Sequence, residues 1–291
     1  MYNNIMNVLS LFDGMSCGKV ALDRAGIEYE NYFASEIDEY AIRISQKNHP
    51  DIIQIGDVRN IQTEYLPEID LLIGGSPCQG FSNAGKGLAF DDPRSALFFN
   101  FVEIMTKVKP KFFLLENVRM KKEWVDIITE YMGVQPALIN SNTLSPQNRQ
   151  RYYWTNIPFV SSPPHLNTQV LGDILEEKVP AKYSPRPSTL EKWDGGDQLN
   201  PSYRSQGNKI HKLDQKAATL CAGSHGYNWG YINQNGTIRR LTPIEFERLQ
   251  TLPDNYTEDV SDTQRYKMLG NGWTVDIVAH IFKNLKFALK T

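Results

Sequence analysis

Residues 7–18 read "NVLSLFDGMSCG": an apolar run, then Phe12, Asp13 and Gly14, then small residues that open the next pattern. The run "NVLSLF" (7–12) has the length and composition of a buried strand, and "KVALDRAG" (19–26) repeats its apolar residues at helical spacing. The segment is therefore a strand–turn–helix junction. Outward from it the same alternation continues. "NYFAS" (31–35), "DLLIGG" (70–75) and "KFFLLE" (111–116) read as further buried strands. "EYAIRISQKN" (39–48) and "SALFFNFVEIMTKV" (95–108) read as amphipathic helices between them. Strand and helix in alternation predict an α/β fold, a Rossmann-like doubly wound parallel sheet covered on both faces. Ligands of such sheets gather beyond the carboxyl ends of the strands, near the switch in strand order. Gly14, Glu36, Asp57, Cys78 and Glu116 all fall at or just after expected strand ends, which places five special residues on one rim.

The totals agree with an ordinary soluble globular protein. The chain has 291 residues, 41% hydrophobic and 22% charged, enough for one large domain and a smaller partner. No apolar run approaches the ~20 residues that span a bilayer, and "MYNNIMNVLS" carries no basic flank of an export signal. A cytoplasmic location is expected. Three cysteines, Cys17, Cys78 and Cys221, form no C-x-x-C pair, which argues against a disulfide framework and a structural zinc site. No metal is expected.

From about 159 to 238 the texture changes to Pro, Gly, Ser and Asn with weak periodicity, as in "WDGGDQLNPSYRSQGN" and "GSHGYNWGYINQNG". This predicts a small, irregular domain. The net charge of −2 does not announce a nucleic-acid partner, yet residues 178–216 hold eight Lys or Arg against four Asp or Glu. Such an excess suits phosphate contacts and equally a solvated surface. Regular structure resumes at "LTPIEFERLQ", where Thr242, Pro243 and Glu245 make a capping box. A last helix from about Val275 carries Ile277, Val278, Ile281, Phe282 and Leu285 on one stripe that needs the sheet domain's core. The expected organisation is a sheet domain over 1–158, a small irregular domain over 159–238 and a return segment over 239–291.

The rim residues suggest chemistry. Glycines at Gly14 and Gly18 suit a close ligand, but the spacing is not G-x-G-x-x-G, so a pyrophosphate is poorly supported. Glu36, 22 residues beyond Gly14, is placed to bind a ribose diol, and a nucleoside without a pyrophosphate fits both facts. In "IGGSPCQGFSNAGKG" (73–87), Cys78 follows Pro77 and precedes Gly80, Gly85 and Gly87. It reads as an inert buried thiol, as a redox group lacking a nearby partner, or as an accessible nucleophile under a loop that closes. Glu116 in "ENV" reads as a turn cap or as an acid on the same rim. Arg149 and Arg151, two apart in "PQNRQRYYW" (146–154), share a face of an extended segment, either solvated or aimed at a site.

Eight blocks carry a resemblance: "FDGMSCG", "SEID", "GDVRN", "GGSPCQGFS", "ENV", "QNRQRYYW", "RLTPIEFERLQTLPDNY" and "LGNGWTV". In this order, from residue 12 to 275, they resemble the DNA (cytosine-5)-methyltransferases, several of them closest to the animal de novo type. "PCQGFS" is the bacterial wording, so the chain looks like a compact bacterial or phage relative holding the catalytic region alone. Ser16 and Cys17 stand where the usual bacterial form has a glycine pair.

The resemblance implies S-adenosylmethionine as cofactor, S-adenosylhomocysteine as product and duplex DNA as substrate. Its cofactor would be held by Phe12, Asp13, Gly14, Ser16, Glu36, Ile37, Asp57, Val58, Pro77, Asn271 and Thr274. Cys78 would add to carbon 6 of the cytosine, Glu116 would act at ring nitrogen 3, Arg151 at the base carbonyl, and Arg149 would support them. The base must leave the helix for this chemistry. Gln79, Ser82, Arg204, Gln206, Asn208, Lys209, Asn228 and Trp229 are the expected DNA contacts. A monomer is expected, with a cognate restriction enzyme acting separately. A branch of the family that methylates transfer RNA shares the core blocks and is the nearest alternative. A doubly wound oxidoreductase and an inactive DNA-binding relative stand further off.

Overall fold

The computed structural model describes residues 5–76, 96–164, 166–203, 205–223 and 229–288. The chain divides into two compact units, Met1–Asn140 with Gln150–Ser162 and Ile277–Thr291, and Ser141–Arg149 with Pro163–Asp276. The second therefore takes in a short early segment and runs on to Asp276, a wider span than the 159–238 read from composition.

The first unit contains β1 (Met6–Leu11), α1 (Cys17–Ala25), β2 (Tyr29–Ser35), α2 (Glu39–Asn48), β3 (Ile53–Gln54), β4 (Leu71–Gly74), α3 (Ala96–Val108), β5 (Phe112–Val118), α4 (Lys122–Met132), β6 (Ala137–Asn140) and β7 (Gln150–Thr155). Among the described residues the sheet has seven strands in the order β3-β2-β1-β4-β5-β7-β6. The pairs β1–β2, β2–β3, β1–β4 and β4–β5 are parallel, while β7 runs antiparallel to both β5 and β6. The wholly parallel sheet expected from the alternation is thus mixed at one edge, because β6 and β7 follow each other without an intervening α-helix and return on themselves.

The central strands are buried on both sides, which is why they read as continuous apolar runs: Val8, Leu9, Leu11, Leu71, Leu72, Ile73, Leu114 and Leu115 are all inaccessible to solvent. Phe98 and Phe101 of α3 and Trp154 of β7 complete one cluster with Leu9, Leu72 and Leu115. Gly74 is required here, since a Cβ would lie 2.9 Å from the Leu11 carbonyl and 3.1 Å from the Phe101 ring. In register, Leu11 pairs with Ser35 on one side and Gly74 on the other, and Gly74 pairs with Leu115. Three strands, β1, β2 and β4, therefore end on one line, at the point where the order reverses between β1 and β4, and β5 crosses that line at Leu115 before running on to Val118.

The second unit contains α5 (Pro187–Leu190), β8 (Ile210–His211), β9 (Tyr231–Gln234), β10 (Thr237–Arg239), α6 (Pro243–Leu249) and α7 (Asp262–Asn271). It is less irregular than its composition suggests. β9 and β10 form a hairpin across Asn235 and Gly236, both at positive φ, and β8 adds a parallel strand. Leu199, Ile210, Tyr231 and Ile238 form its core. The capping box of α6 is present, with the Thr242 amide donating to Glu245 at 2.7 Å and the Glu245 amide donating to Thr242 at 3.2 Å. Glu245 and Glu247 are inaccessible and paired with Arg239 (2.6 Å) and Arg265 (2.9 Å). From Asp276 the chain continues through α8 (Val275–Lys283) and α9 (Leu285–Ala288), and the stripe Ile277, Val278, Ile281, Phe282 and Leu285 is buried.

Candidate active site

The turn after β1 is the most constrained part of the rim. Phe12, Gly14 and Ser16 all adopt positive φ, at 57°, 60° and 64°. For the two non-glycine residues such a conformation costs ~1–3 kcal/mol each, a kind of strain that concentrates at functional sites. Gly14 is the residue whose conformation favours glycine, and a Cβ there would meet nothing within 4 Å. Its amide donates to Glu36 Oε2 at 2.7 Å. Glu36 Oε1 accepts from the amides of Ile37 (2.8 Å) and Asp38 (2.9 Å). A carboxylate has about four lone-pair positions. Three are thus engaged by backbone, and Oε2 keeps one for a further donor. Next to it Ile37 is 69% exposed, an apolar side chain held out at a strand end.

Asp13 and Ser16, both expected to help hold the cofactor, are buried beneath the turn. Tyr32 donates to Asp13 Oδ1 at 2.7 Å, Ser16 donates to Asp13 Oδ2, and Ser16 in turn meets Ser45 of α2 at 2.6 Å. Burial pushes the Asp13 carboxyl up to about 6. Tyr32 and Ser45 were not singled out in the sequence. The available signal was a polar residue inside an apolar strand for Tyr32, and a serine four residues after Ala41 on the inward stripe of α2 for Ser45. Asp57 caps a short 3-10 turn over Val58–Asn60, and Val58 is buried. The Arg59 guanidinium beside Asp57 holds its carboxyl below the usual range, and both Asp57 oxygens accept from Arg59. Asp57 is therefore engaged by Arg59, and a ligand amine there would share its carboxylate.

Further along the rim, Glu116 and Arg151 form a pair at 2.9 Å, with side chains 10% and 12% exposed. The antiparallel register sets Val118 opposite Arg151, so Glu116 and Arg151 are diagonal neighbours on one face. Asn117, on the other face, donates to Ser76 at 3.1 Å, both buried. That bond ties the end of β5 to the residue two positions before Cys78. Cys78, Pro77, Gln79 and Ser82 lie outside the described residues, as do Arg204 and Asn228.

The remaining expected residues belong to the second unit. Arg149 does not share a free face with Arg151: its guanidinium is buried and donates to the carbonyls of Leu220 (3.1 Å), Gly270 (3.1 Å) and Gly272 (2.9 Å). The alternation rule fails because Arg149 precedes β7. Thr274 is buried and donates to Gln250 at 2.9 Å, while Asn271 is exposed. Among the expected DNA contacts, Trp229 is interior instead: it is 2% exposed, stacks on His211 at 4.1 Å and donates to the Ala218 carbonyl. Asn208 is also engaged internally, its amide bonding to Asn200 and Tyr203. Gln206 and Lys209 are exposed. Among the described residues no helix is long and apolar enough to cross a membrane.

Comparison with known proteins shows the family of the chain. The family model for C-5 cytosine-specific DNA methylases matches residues 6–160 and 165–287. The type II methyltransferase M.NlaX of Neisseria lactamica is 30% identical, over 98% of this chain and 97% of that protein. The type II methyltransferase M.HpaII of Haemophilus parainfluenzae is 33% identical, over 93% and 86%. The crystal structure of the S. pombe Dnmt2 methyltransferase superposes with a TM-score of 0.75 at 20% identity, covering 98% of this chain and all of that one, a likeness of fold.

Proposed function

This chain belongs to the C-5 cytosine-specific DNA methylase family, and we propose that it methylates carbon 5 of a cytosine flipped out of duplex DNA, acting as a monomer with Cys78 as nucleophile. The observation that carries the reading is the row of strand ends at the β1/β4 switch, which brings the Gly14–Glu36 contact and the Glu116–Arg151 pair onto one rim.

The donor set on β1 and β2 fits S-adenosylmethionine. Glu36 retains an acceptor position suited to a ribose hydroxyl, Ile37 offers an apolar surface for a flat base, and the space over Gly14 admits a ligand against the backbone. Phe12, Val58, Pro77, Asn271 and Thr274 complete the proposed cofactor set. When bound, the cofactor supplies an electrophilic methyl on a sulfonium. Carbon 5 of cytosine is a weak nucleophile, and this chain's residues remedy that. The Cys78 thiolate forms a bond to carbon 6, the carbon 5–carbon 6 π electrons shift to carbon 4–carbon 5, and the displaced carbon 4–nitrogen 3 π pair takes a proton from Glu116 at nitrogen 3. Arg151 orients Glu116 and reaches for the base carbonyl. After carbon 5 gains its methyl group, nitrogen 3 returns its proton to Glu116, and loss of the carbon 5 proton to a base restores the carbon 5–carbon 6 double bond and expels the thiolate. Gln206 and Lys209, with Arg204 and Asn228, are the proposed DNA contacts of the second unit, and basic side chains there meet phosphate.

The test is methyl transfer to unmethylated duplex DNA with every modified cytosine mapped. Product in one short sequence context supports the reading. Cofactor binding with no DNA product, and product on transfer RNA instead, overturns the choice of substrate. Cys78→Ser is expected to abolish transfer while leaving S-adenosylhomocysteine binding intact; substantial residual turnover would remove Cys78 from the nucleophile's role.

A further inference from the structure

We propose that Asp13 is a positioning residue, acting from beneath the β1–α1 turn to fix the backbone that presents the Gly14 amide to Glu36. The inference rests on reading this rim as the cofactor site. The directions of the hydrogen bonds around Asp13 can be worked out from chemistry alone. Tyr32 and Ser16 both donate to its carboxylate. Because the Ser16 proton is committed to Asp13, the 2.6 Å contact between Ser16 and Ser45 requires Ser45 to donate to Ser16. The Ser45 oxygen then accepts, and Gln54 at the end of β3 donates its side-chain amide to it at 3.3 Å. That direction follows from the network and fixes which way the Gln54 amide faces. A one-way chain of donors thus runs from β3 through α2 to the turn, and a second donor arrives from β2.

The arrangement is sealed. Ser16 and Ser45 are inaccessible, Tyr32 is 1% exposed and Asp13 is 9% exposed. The Asp13 amide also donates to the Ser35 carbonyl at 3.1 Å, so the residue ties side chain and backbone to the end of β2. Glu36, at that same end, is the charged group facing Asp13, and Ser10 adds a hydroxyl. With Phe12 and Ser16 held at positive φ, the turn needs such an anchor: the conformation is unfavourable for both residues and persists where surrounding bonds over-determine it. The carboxylate is the sink of every donor in the chain. An amide in its place cannot accept at both ends, so either Ser16 or Tyr32 loses its acceptor and the turn relaxes.

The test is calorimetric binding of S-adenosylhomocysteine to the full chain and to Asp13→Asn. The expected result is a dissociation constant raised about tenfold, the scale of one charge-assisted hydrogen bond. The KM for S-adenosylmethionine should rise in parallel with kcat nearly unchanged, and the Gly14 amide should exchange faster in the ligand-free protein. Ser45→Ala, which leaves the carboxylate in place, should move binding the same way by a smaller factor and carries the test if Asp13→Asn does not fold. Unchanged affinity and unchanged Gly14 exchange in folded variants would overturn the role of Asp13. Absence of binding by the unsubstituted chain would instead overturn the cofactor-site reading, and this proposal with it.

Discussion

Arg151 of β7 donates through Nε to Glu116 of β5 at 2.9 Å, a diagonal contact across an antiparallel pair whose members arrive from opposite directions. The two side chains are largely buried, so each depends on the other for its charge balance. Glu116→Gln is expected to lower methyl transfer by about 10²–10⁴-fold, the usual range for a positioned acid or base. Binding of S-adenosylhomocysteine should be unaffected, because Glu36 lies elsewhere on the rim. Arg151→Lys should also lose most activity, since a point charge on a flexible stem does not reproduce the planar guanidinium. Steady-state kinetics with parallel calorimetry would decide; near-normal kcat in Glu116→Gln would exclude Glu116 from proton delivery.

The two positions Gly14 and Gly270 separate conformational from steric demands. A Cβ on Gly270 would lie 2.3 Å from the Cys221 carbonyl carbon and 2.4 Å from the Ala222 nitrogen, both backbone atoms. Gly270→Ala must displace one segment and is expected to destabilise by about 3 kcal/mol or more, the upper range for overpacking. Gly14→Ala meets open space and carries the left-handed conformation alone, about 1–2 kcal/mol. Chemical denaturation of both variants would show the order. Equal losses would mean that the 221–222 and 270 segments part easily.

A third prediction concerns the ion pairs under α6. Glu245 accepts from both Arg239 terminal nitrogens, at 2.8 and 2.6 Å, and from the amides of Thr242 and Glu176. Glu245→Ala leaves Arg239, itself 3% exposed, without its carboxylate and should destabilise by ~3–5 kcal/mol. Arg248→Ala, at a partly exposed pair with Asp254, should cost about 1 kcal/mol or less through that pair. Melting of the two variants side by side measures the contrast, and a mild Glu245→Ala would show that water replaces the missing carboxylate.

The last prediction is a pH dependence. The Asp13 carboxyl is raised from 3.8 to about 6 by burial, so the folded state binds its proton more tightly than the unfolded chain does. Its contribution to stability is complete below pH 3.8 and is lost as the pH rises through 6. Above that, the unsubstituted protein should have lost up to about 3 kcal/mol of stability, the equivalent of the two-unit displacement, while Asp13→Asn, with no proton to lose at this position, should show no such loss. Unfolding midpoints of the two proteins between pH 4 and 8 should diverge across the window from 4 to 6. Parallel curves would show that Asp13 titrates alike in both states. Together with the binding test, this makes Asp13 a residue whose ionised form costs stability and serves the ligand.

The strands and helices of the first unit were legible because burial on both faces of a parallel sheet writes itself as apolar runs, and "EYAIRISQKN" became α2 residue for residue. The β9–β10 hairpin was also legible in principle, since the Asn235-Gly236 pair is a strong turn signal that the surrounding polar composition masked. Trp229 was not. An aromatic in a Gly-rich segment reads as exposed, and what buries it is His211, 18 residues away in the chain.

The amino-acid sequence by itself determined the α/β alternation, the capping box at Thr242 and the placing of Gly14 and Glu36 just past strand ends, because each depends on local periodicity or on neighbours within a few residues. The tertiary structure alone decided that Asp13 looks inward while Glu36 looks out, that Arg149 binds three backbone carbonyls while Arg151 binds Glu116, and that β7 runs against β5. Those outcomes depend on which distant segments become neighbours, and a side chain's partner across a sheet or beneath a turn is set by register and burial, which local sequence does not encode.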